Sequence, residues 1–507
     1  MSVKYLKNII NRIKKFDAEV NDYKKISQYP AMPSIAYVNW AMHFIEHGQI
    51  SDAEEKLVSS TLMAHQTPDA YINLGVLRAR EGKIEEAKSL YIKAIRLDRN
   101  NAKAFCFLGN VLTESGDYKD AEKKFNIALT LEPNNSDIFL NWGISLVRQR
   151  KFILAKEKFE QACKFNNANY SALYFLALTD VELGEPEKAK EKFKLITNVT
   201  PTHYEAFYYL AYIYYKEKQY EKSLLNALKS VEINPGKIET YMLISENYMN
   251  LERKDDCFRY YSRGEENASV NYFFLVSWGI SLQHFGFYQE AKEKFQRAID
   301  LQPKNELALG YMGKSFYKTN EYDTAMIFLQ KTMDINPYNI FALDLLGQIN
   351  FDRENYKEAV KHFELVIKYS AKAVKAYGKI GEAYFLDGNI EKANEYYQKA
   401  LEYQPDEIKN YVNFAKILIE QKNYELALKK LQGACKLDEN DFDCLNLLFY
   451  TNYMLAKENV SEYNIERAIE IAKKLEKDYP DSFSFAEEKK ELEARISSKS
   501  PERQNLV

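Results

Sequence analysis

His43, Glu46 and His47 spell H-x-x-E-H, a spacing that can gather zinc ligands for hydrolytic chemistry. The other histidines, His65, His203, His284 and His362, are isolated, and no glycine-rich phosphate loop, nucleophile elbow or kinase signature occurs. Five cysteines, Cys106, Cys163, Cys257, Cys435 and Cys444, are odd in number and lack C-x-x-C spacing, so neither a disulfide framework nor a zinc site is indicated. They read as small buried hydrophobes in a reducing compartment, and a cytoplasmic location is expected. Recognition chemistry is better supplied than catalysis. Residues 207 to 215 read FYYLAYIYY, part of a total of 39 tyrosines. A phenol ring offers a large rigid face and a polar tip at low entropic cost.

Long helices must position these residues. Only 18 glycines and 12 prolines punctuate 507 residues of which 46% are apolar, which disfavours Gly-rich sheet proteins and favours an all-α chain with short turns. With 70 Lys+Arg against 73 Asp+Glu the net charge is -3, so the chain as a whole does not call for nucleic acid or an anionic membrane. No stretch approaches the 18 or so apolar residues of a membrane span, and the N-terminus lacks the apolar core of a signal peptide.

Self-similarity is strict. Gly75, Gly109, Gly143, Ala177, Ala211, Ser245, Gly279, Gly313, Gly347, Gly381 and Ala415 follow one another at 34-residue intervals. Twelve residues after each stands a second small residue, from Ala87 to Ala427, and four further on an apolar one, usually large, such as Tyr91, Phe125, Phe159 or Phe363. Many units close on proline, as at Pro133, Pro201, Pro235, Pro303, Pro337 and Pro405. Counting each unit from residue 34, 68, 102 and onward, the small residues fall at positions 8 and 20, the large one at 24 and proline at 32. Positions 4, 7, 8 and 11 share one face of a first helix, and 20, 24 and 27 one face of a second. Glycine recurs at position 15 as Gly48, Gly82, Gly116, Gly184, Gly286 and Gly388, with Asn320 in the same slot, where a left-handed residue should end the first helix. His43, Glu46 and His47 then sit at positions 10, 13 and 14, just ahead of Gly48, where an ordinary helix end is expected rather than a metal. Trp40, Trp142 and Trp278 all fall at position 7 and are expected in the core.

The pattern resembles the tetratricopeptide repeat, over roughly residues 34–482. The resemblance implies an all-α, right-handed α-solenoid of thirteen helix-turn-helix units. The thirteenth, from 442 to about 482, carries seven extra residues near 458–463, expected to lengthen its turn. It also implies a non-enzymatic scaffold without cofactor, binding protein or peptide segments in a concave groove lined by positions 2, 5, 6, 9, 12 and 13. Those positions hold Tyr174, Phe175, Tyr208, Tyr209, Tyr212, Tyr215, Met242, Met249, Phe273, Tyr311 and Tyr317, then Lys314, Lys318, Lys375, Lys379, Lys409 and Lys416. Lys375 and Lys379 resemble two elements of a carboxylate clamp, with Glu382 placed to neutralise Lys379. Asn39, Asn73 and Asn141 at position 6 echo a backbone-binding asparagine ladder that Phe107 interrupts. A helical-repeat RNA binder is the alternative, opposed by Asp69, Asp137, Glu205, Glu239 and Asp443 at position 2.

The ends read differently from the repeats. Residues 1–16 carry Lys4, Lys7, Arg12, Lys14 and Lys15 on an amphipathic pattern, so residues 1–33 are expected to cap the first repeat, with peripheral membrane contact as the other reading. Residues 483–507 are expected to form a capping helix and a disordered tail.

Overall fold

Two apolar faces in every 34 residues should fold as a pair of packed helices, and the computed structural model shows that arrangement across the residues it describes, 34–63, 67–370, 372–459, 461–482 and 484–499. First helices run Ser34–Glu46, Pro68–Arg80, Ala102–Glu114 and onward at the same spacing to Ile408–Glu420, one of them starting a residue late at Lys375. Their partners run Ile50–Thr61, Ile84–Leu97 and onward to Tyr424–Leu437. The 27 α-helices account for the fold, with no strand among the described residues. Within each of the chain's two compact units, helices pack on their sequence neighbours, as Tyr204–Lys216 does on Tyr220–Ile233 and Tyr272–His284 on Tyr288–Leu301, and first helices touch the next first helix, as Ala102–Glu114 does on Ser136–Arg148. The amphipathic helix expected over 1–33 and the tail expected over 500–507 lie outside the described residues.

Both ends of the first helix are set by single residues. At its start, Asn101, Asn169, Asn305 and Asn339 at position 34 each accept a bond from the amide three residues on, at 2.8–2.9 Å. At its end, position 15 takes a left-handed backbone in all twelve units from Gly48 to Lys422. Beside six glycines stand Arg150, Lys218, Glu252, Asn320, Glu354 and Lys422, with φ between 55° and 63°. That turn lets the Asp117 amide reach back to the Leu112 carbonyl at 2.8 Å and satisfies a helix-end oxygen.

The small residue at position 8 admits the large side chain at 24. A Cβ on Gly109 would stand 2.8 Å from the Phe125 ring, and one on Gly347 would stand 2.5 Å from Phe363. The ring therefore lies against helix backbone and is fully buried. Several of these rings then stack on the next unit: Phe159 on Phe175 at 5.8 Å, Phe193 on Tyr209 at 5.7 Å and Phe295 on Tyr311 at 6.0 Å. The three tryptophans are buried, and each lies under a lysine from position 23, Lys158 standing 3.9 Å from the Trp142 ring centre and Lys294 3.4 Å from that of Trp278.

Contacts divide the chain into two units, one ending at Arg253 and including Glu266–Ala268, the other comprising Lys254–Glu265 and the residues from Ser269 onward. Within the first, the fully buried Asp180 sits at position 11, a slot that is apolar or aromatic in most repeats. Its carboxylate takes Lys156 on one oxygen and Lys192 on the other, each at 2.8 Å. Within the second, the last pair departs from expectation. Phe442–Asn459 and Glu462–Asp478 have 18 and 17 residues, so the insertion lengthens the helices rather than the turn. The cause is local: position 15 is the buried Ala456, and with no left-handed residue the first helix runs on. The helix Ala486–Lys499 packs against this pair through buried Leu492, and the Tyr453 hydroxyl donates to Glu491 at 2.7 Å.

Candidate peptide-binding site

In the first unit, Tyr170–Glu182, Tyr204–Lys216 and Ile238–Asn250 are consecutive first helices, so positions 2, 5 and 6 of neighbouring repeats meet. Tyr174, Tyr204, Glu205, Tyr208, Tyr209, Lys237, Glu239 and Thr240 line a pocket of about 330 Å³ there. The rings brace one another edge to face, Tyr208 against Tyr209 at 5.2 Å and Tyr174 against Tyr209 at 6.2 Å. Tyr174 also meets His203 at 5.0 Å, and Lys237 lies 5.9 Å from the Tyr204 ring. Burial pushes the Tyr174 and Tyr208 hydroxyls well above the ordinary phenol value, and Tyr209 rises through burial and then Glu182, Glu205 and Glu239. These phenols therefore stay protonated and present O–H donors beside two carboxylates and one ammonium.

Tyr174, Tyr208 and Tyr209 are thus brought together, and Tyr204, Glu205, Lys237, Glu239 and Thr240 join them. Tyr212, Tyr215 and Met242 lie outside this pocket: Tyr212 is under Lys216 at 5.2 Å, and Tyr215 tilts against Tyr220 at 5.9 Å. Burial, then Glu246, pushes Tyr215 up to about 12. Phe175 and Tyr209 both touch the preceding repeat's second helix, so their position serves packing as well as the surface. Asn141 is tied to its neighbours, accepting from Asn110 at 3.0 Å and donating to the Asp137 carbonyl at 2.7 Å.

The second unit arranges its share separately. Lys375 and Lys379 line a pocket of about 190 Å³ with Glu382, Glu407, Lys409, Asn410 and Asn413. Lys379 is paired with Asp344 of the preceding repeat at 2.8 Å. Phe273, Tyr311, Lys314 and Tyr317 lie outside that pocket. Phe273 is 54% exposed and Tyr311 packs on Phe295, while the Tyr317 hydroxyl donates to Asp352 at 2.8 Å. Lys314 is half-buried and its ammonium is pushed below the ordinary value by burial and then by Lys318.

His43, Glu46 and His47 do converge, with one ligand atom of each within 4.8 Å of the others. Nδ1 of His47 lies 2.9 Å from the His43 carbonyl, which commits that nitrogen to the helix end. No helix among the described residues is long and apolar enough to cross a membrane.

Comparison with known proteins agrees with the repeat geometry. The sequence profile described as "Tetratricopeptide repeat" matches residues 72–136 and 276–340, and that described as "Anaphase-promoting complex, cyclosome, subunit 3" matches residues 352–434. No curated protein matches the sequence. Among solved structures, yeast Tom70 is 15% identical, covering 87% of this chain and 99% of its own, with a TM-score of 0.39. The Cut9-Hcn1 hetero-tetramer of the APC/C is 15% identical over 84% of this chain and 98% of that one, with a TM-score of 0.38. Pseudomonas aeruginosa pilF is 21% identical over 45% and 96%, with a TM-score of 0.37.

Proposed function

We propose that this chain, a tetratricopeptide-repeat protein, is a non-enzymatic scaffold that captures a protein segment in the tyrosine pocket of its first unit. Tetratricopeptide repeats serve as protein-interaction scaffolds, and the finer reading rests on one observation, the convergence of Tyr174, Tyr204, Tyr208 and Tyr209 with Glu205 and Glu239. Aromatic faces flanked by carboxylates suit a lysine or arginine side chain, which gains from both the rings and the charge. The preformed rings cost little entropy on docking, so an extended segment carrying such a side chain needs few further contacts. In this reading thirteen repeats span residues 34–482 and the helix Ala486–Lys499 closes their end.

A displayed library of random peptides selected on the full chain tests this. Selected peptides should share a basic residue next to an apolar one. They should bind Tyr208→Ala or Glu239→Gln at least tenfold more weakly, with the circular dichroism unchanged. Equal affinity for the variants, or no basic preference, refutes the assignment. Tyr208 is the cleaner target, because Tyr209 also stacks on Phe193.

A further inference from the structure

Cys435 lies near the end of helix Tyr424–Leu437, and Cys444 lies in the first turn of Phe442–Asn459. Their sulfur atoms are 3.0 Å apart. A formed disulfide holds its sulfurs about 2.05 Å apart, so bond formation needs about 1 Å of motion at the tips of two side chains. The two thiols differ in access. Cys444 is fully buried, with its sulfur 3.5 Å from the Leu431 carbonyl. Cys435 is half-buried and lines a pocket of about 280 Å³ shared with Gln432, Lys436, Tyr463 and Arg467. A small oxidant entering that pocket meets Cys435 first.

We propose that Cys435 and Cys444 form a peroxide-oxidised dithiol site, with Cys435 the attacking thiol and Cys444 the resolving one. Local electrostatics sort the pair the same way. The hydrogen bond between the two sulfurs lowers Cys435, as do Lys474 and Arg467, against burial and Asp441. The same hydrogen bond, then burial, raises Cys444. Burial holds Cys106 up at about 12 and raises Cys163 as well. Within the pair, thiolate character is therefore favoured on Cys435, the sulfur that faces the pocket.

The chemistry balances with a hydroperoxide as the two-electron oxidant. The Cys435 thiolate attacks the terminal oxygen, an S–O bond forms, the O–O bond breaks, and the alkoxide or hydroxide leaves and takes up a proton. Cys435 is then a sulfenic acid. The Cys444 sulfur attacks that sulfur, expelling its hydroxyl, which leaves as water with the Cys444 proton. Two thiols and one hydroperoxide give a disulfide, an alcohol or water, and a water. The bond ties the second helix of one repeat to the first helix of the next.

Full-length protein, reduced and then freed of reductant, is exposed to hydrogen peroxide, alkylated under denaturing conditions and mapped by mass spectrometry without reduction. Cleavage after Lys436 separates the two cysteines, so a crosslinked peptide pair two hydrogens lighter reports the bond directly. The expected result is that pair, with Cys106, Cys163 and Cys257 alkylated. In Cys444→Ser the reaction should stop at a Cys435 sulfenic acid captured by dimedone. Alkylated Cys444 in oxidised wild type, with Cys435 as a sulfinic acid, overturns the proposal, as does oxidation of Cys106 or Cys163 ahead of Cys435. The wild-type map decides the matter even if the variant fails to fold.

Discussion

Asp180 is fully buried and its two oxygens meet Lys156 and Lys192 at 2.8 Å each. Position 11 of one repeat meets position 21 of the preceding one, and at the second repeat the signs are exchanged, with Arg78 at 11 held by Glu54 at 21. Removing one partner of such a node strands the others, so Asp180→Ala should cost about 3 kcal/mol, read as a lower urea midpoint at unchanged slope. Beside it, hydrogen bonds from Lys156 and Lys188 push Glu185 down to about 2 from an ordinary 4.5. The sign follows from the depression: this contribution is complete above pH 4.5 and is lost as the pH falls toward 2. Urea midpoints measured across that range should fall more for wild type than for Glu185→Gln, and 1 M salt should shrink the difference, at about a 3 Å Debye length. The charged node breaks the face that the period assigns to position 11, and the spacing alone did not single it out. Its partners could not be read from the spacing, because Lys156 sits on the preceding repeat and Lys192 on the second helix of the same one. The tyrosine pocket was half legible. The run at 207–215 announced the aromatics, but position 6 both faces outward and touches the preceding second helix, so the dual service of Phe175 and Tyr209 needed coordinates.

At the scale of the helix pair, the turn at position 15 gives the sharpest expectation. Glu354 and Lys422 hold a left-handed backbone at φ of 63° and 60° that costs a side-chain-bearing residue about 1 kcal/mol or more. Glu354→Gly and Lys422→Gly should each stabilise by about 0.5–1 kcal/mol despite glycine's entropy, measured by chemical denaturation. At the other end of the helix, Asn305→Ala should cost about 1 kcal/mol, since it removes the acceptor for the Ala308 amide. Glycine spacing revealed this turn in six units, whereas the charged occupants of the same slot carried no signal of their own. The asparagine caps at Asn101, Asn169, Asn305 and Asn339 were not read from the spacing, because position 34 also holds Thr67, His203, Lys237 and Glu407. The last pair misled because an insertion was assigned to the turn, although Ala456 offers nothing to stop a helix.

At the largest scale, within each unit helices contact their neighbours in sequence and little else, so stability propagates from one repeat to the next instead of through a shared centre. Phe125→Leu, costing about 1 kcal/mol, should lower hydrogen-exchange protection in the flanking repeats and leave residues 408–482 unchanged. Loss of protection along the entire chain would contradict it. The period and its small residues made this architecture readable, since each unit repeats one packing solution. The lysines laid over Trp142 and Trp278 carry a further consequence, an optical one. One of these two indoles belongs to each unit, and each is shielded from water with an ammonium poised on its face. Of the three native indoles, Trp40 shares its unit with Trp142; with Trp40 replaced, removing either remaining indole leaves an emission signal that follows the melting of one half alone.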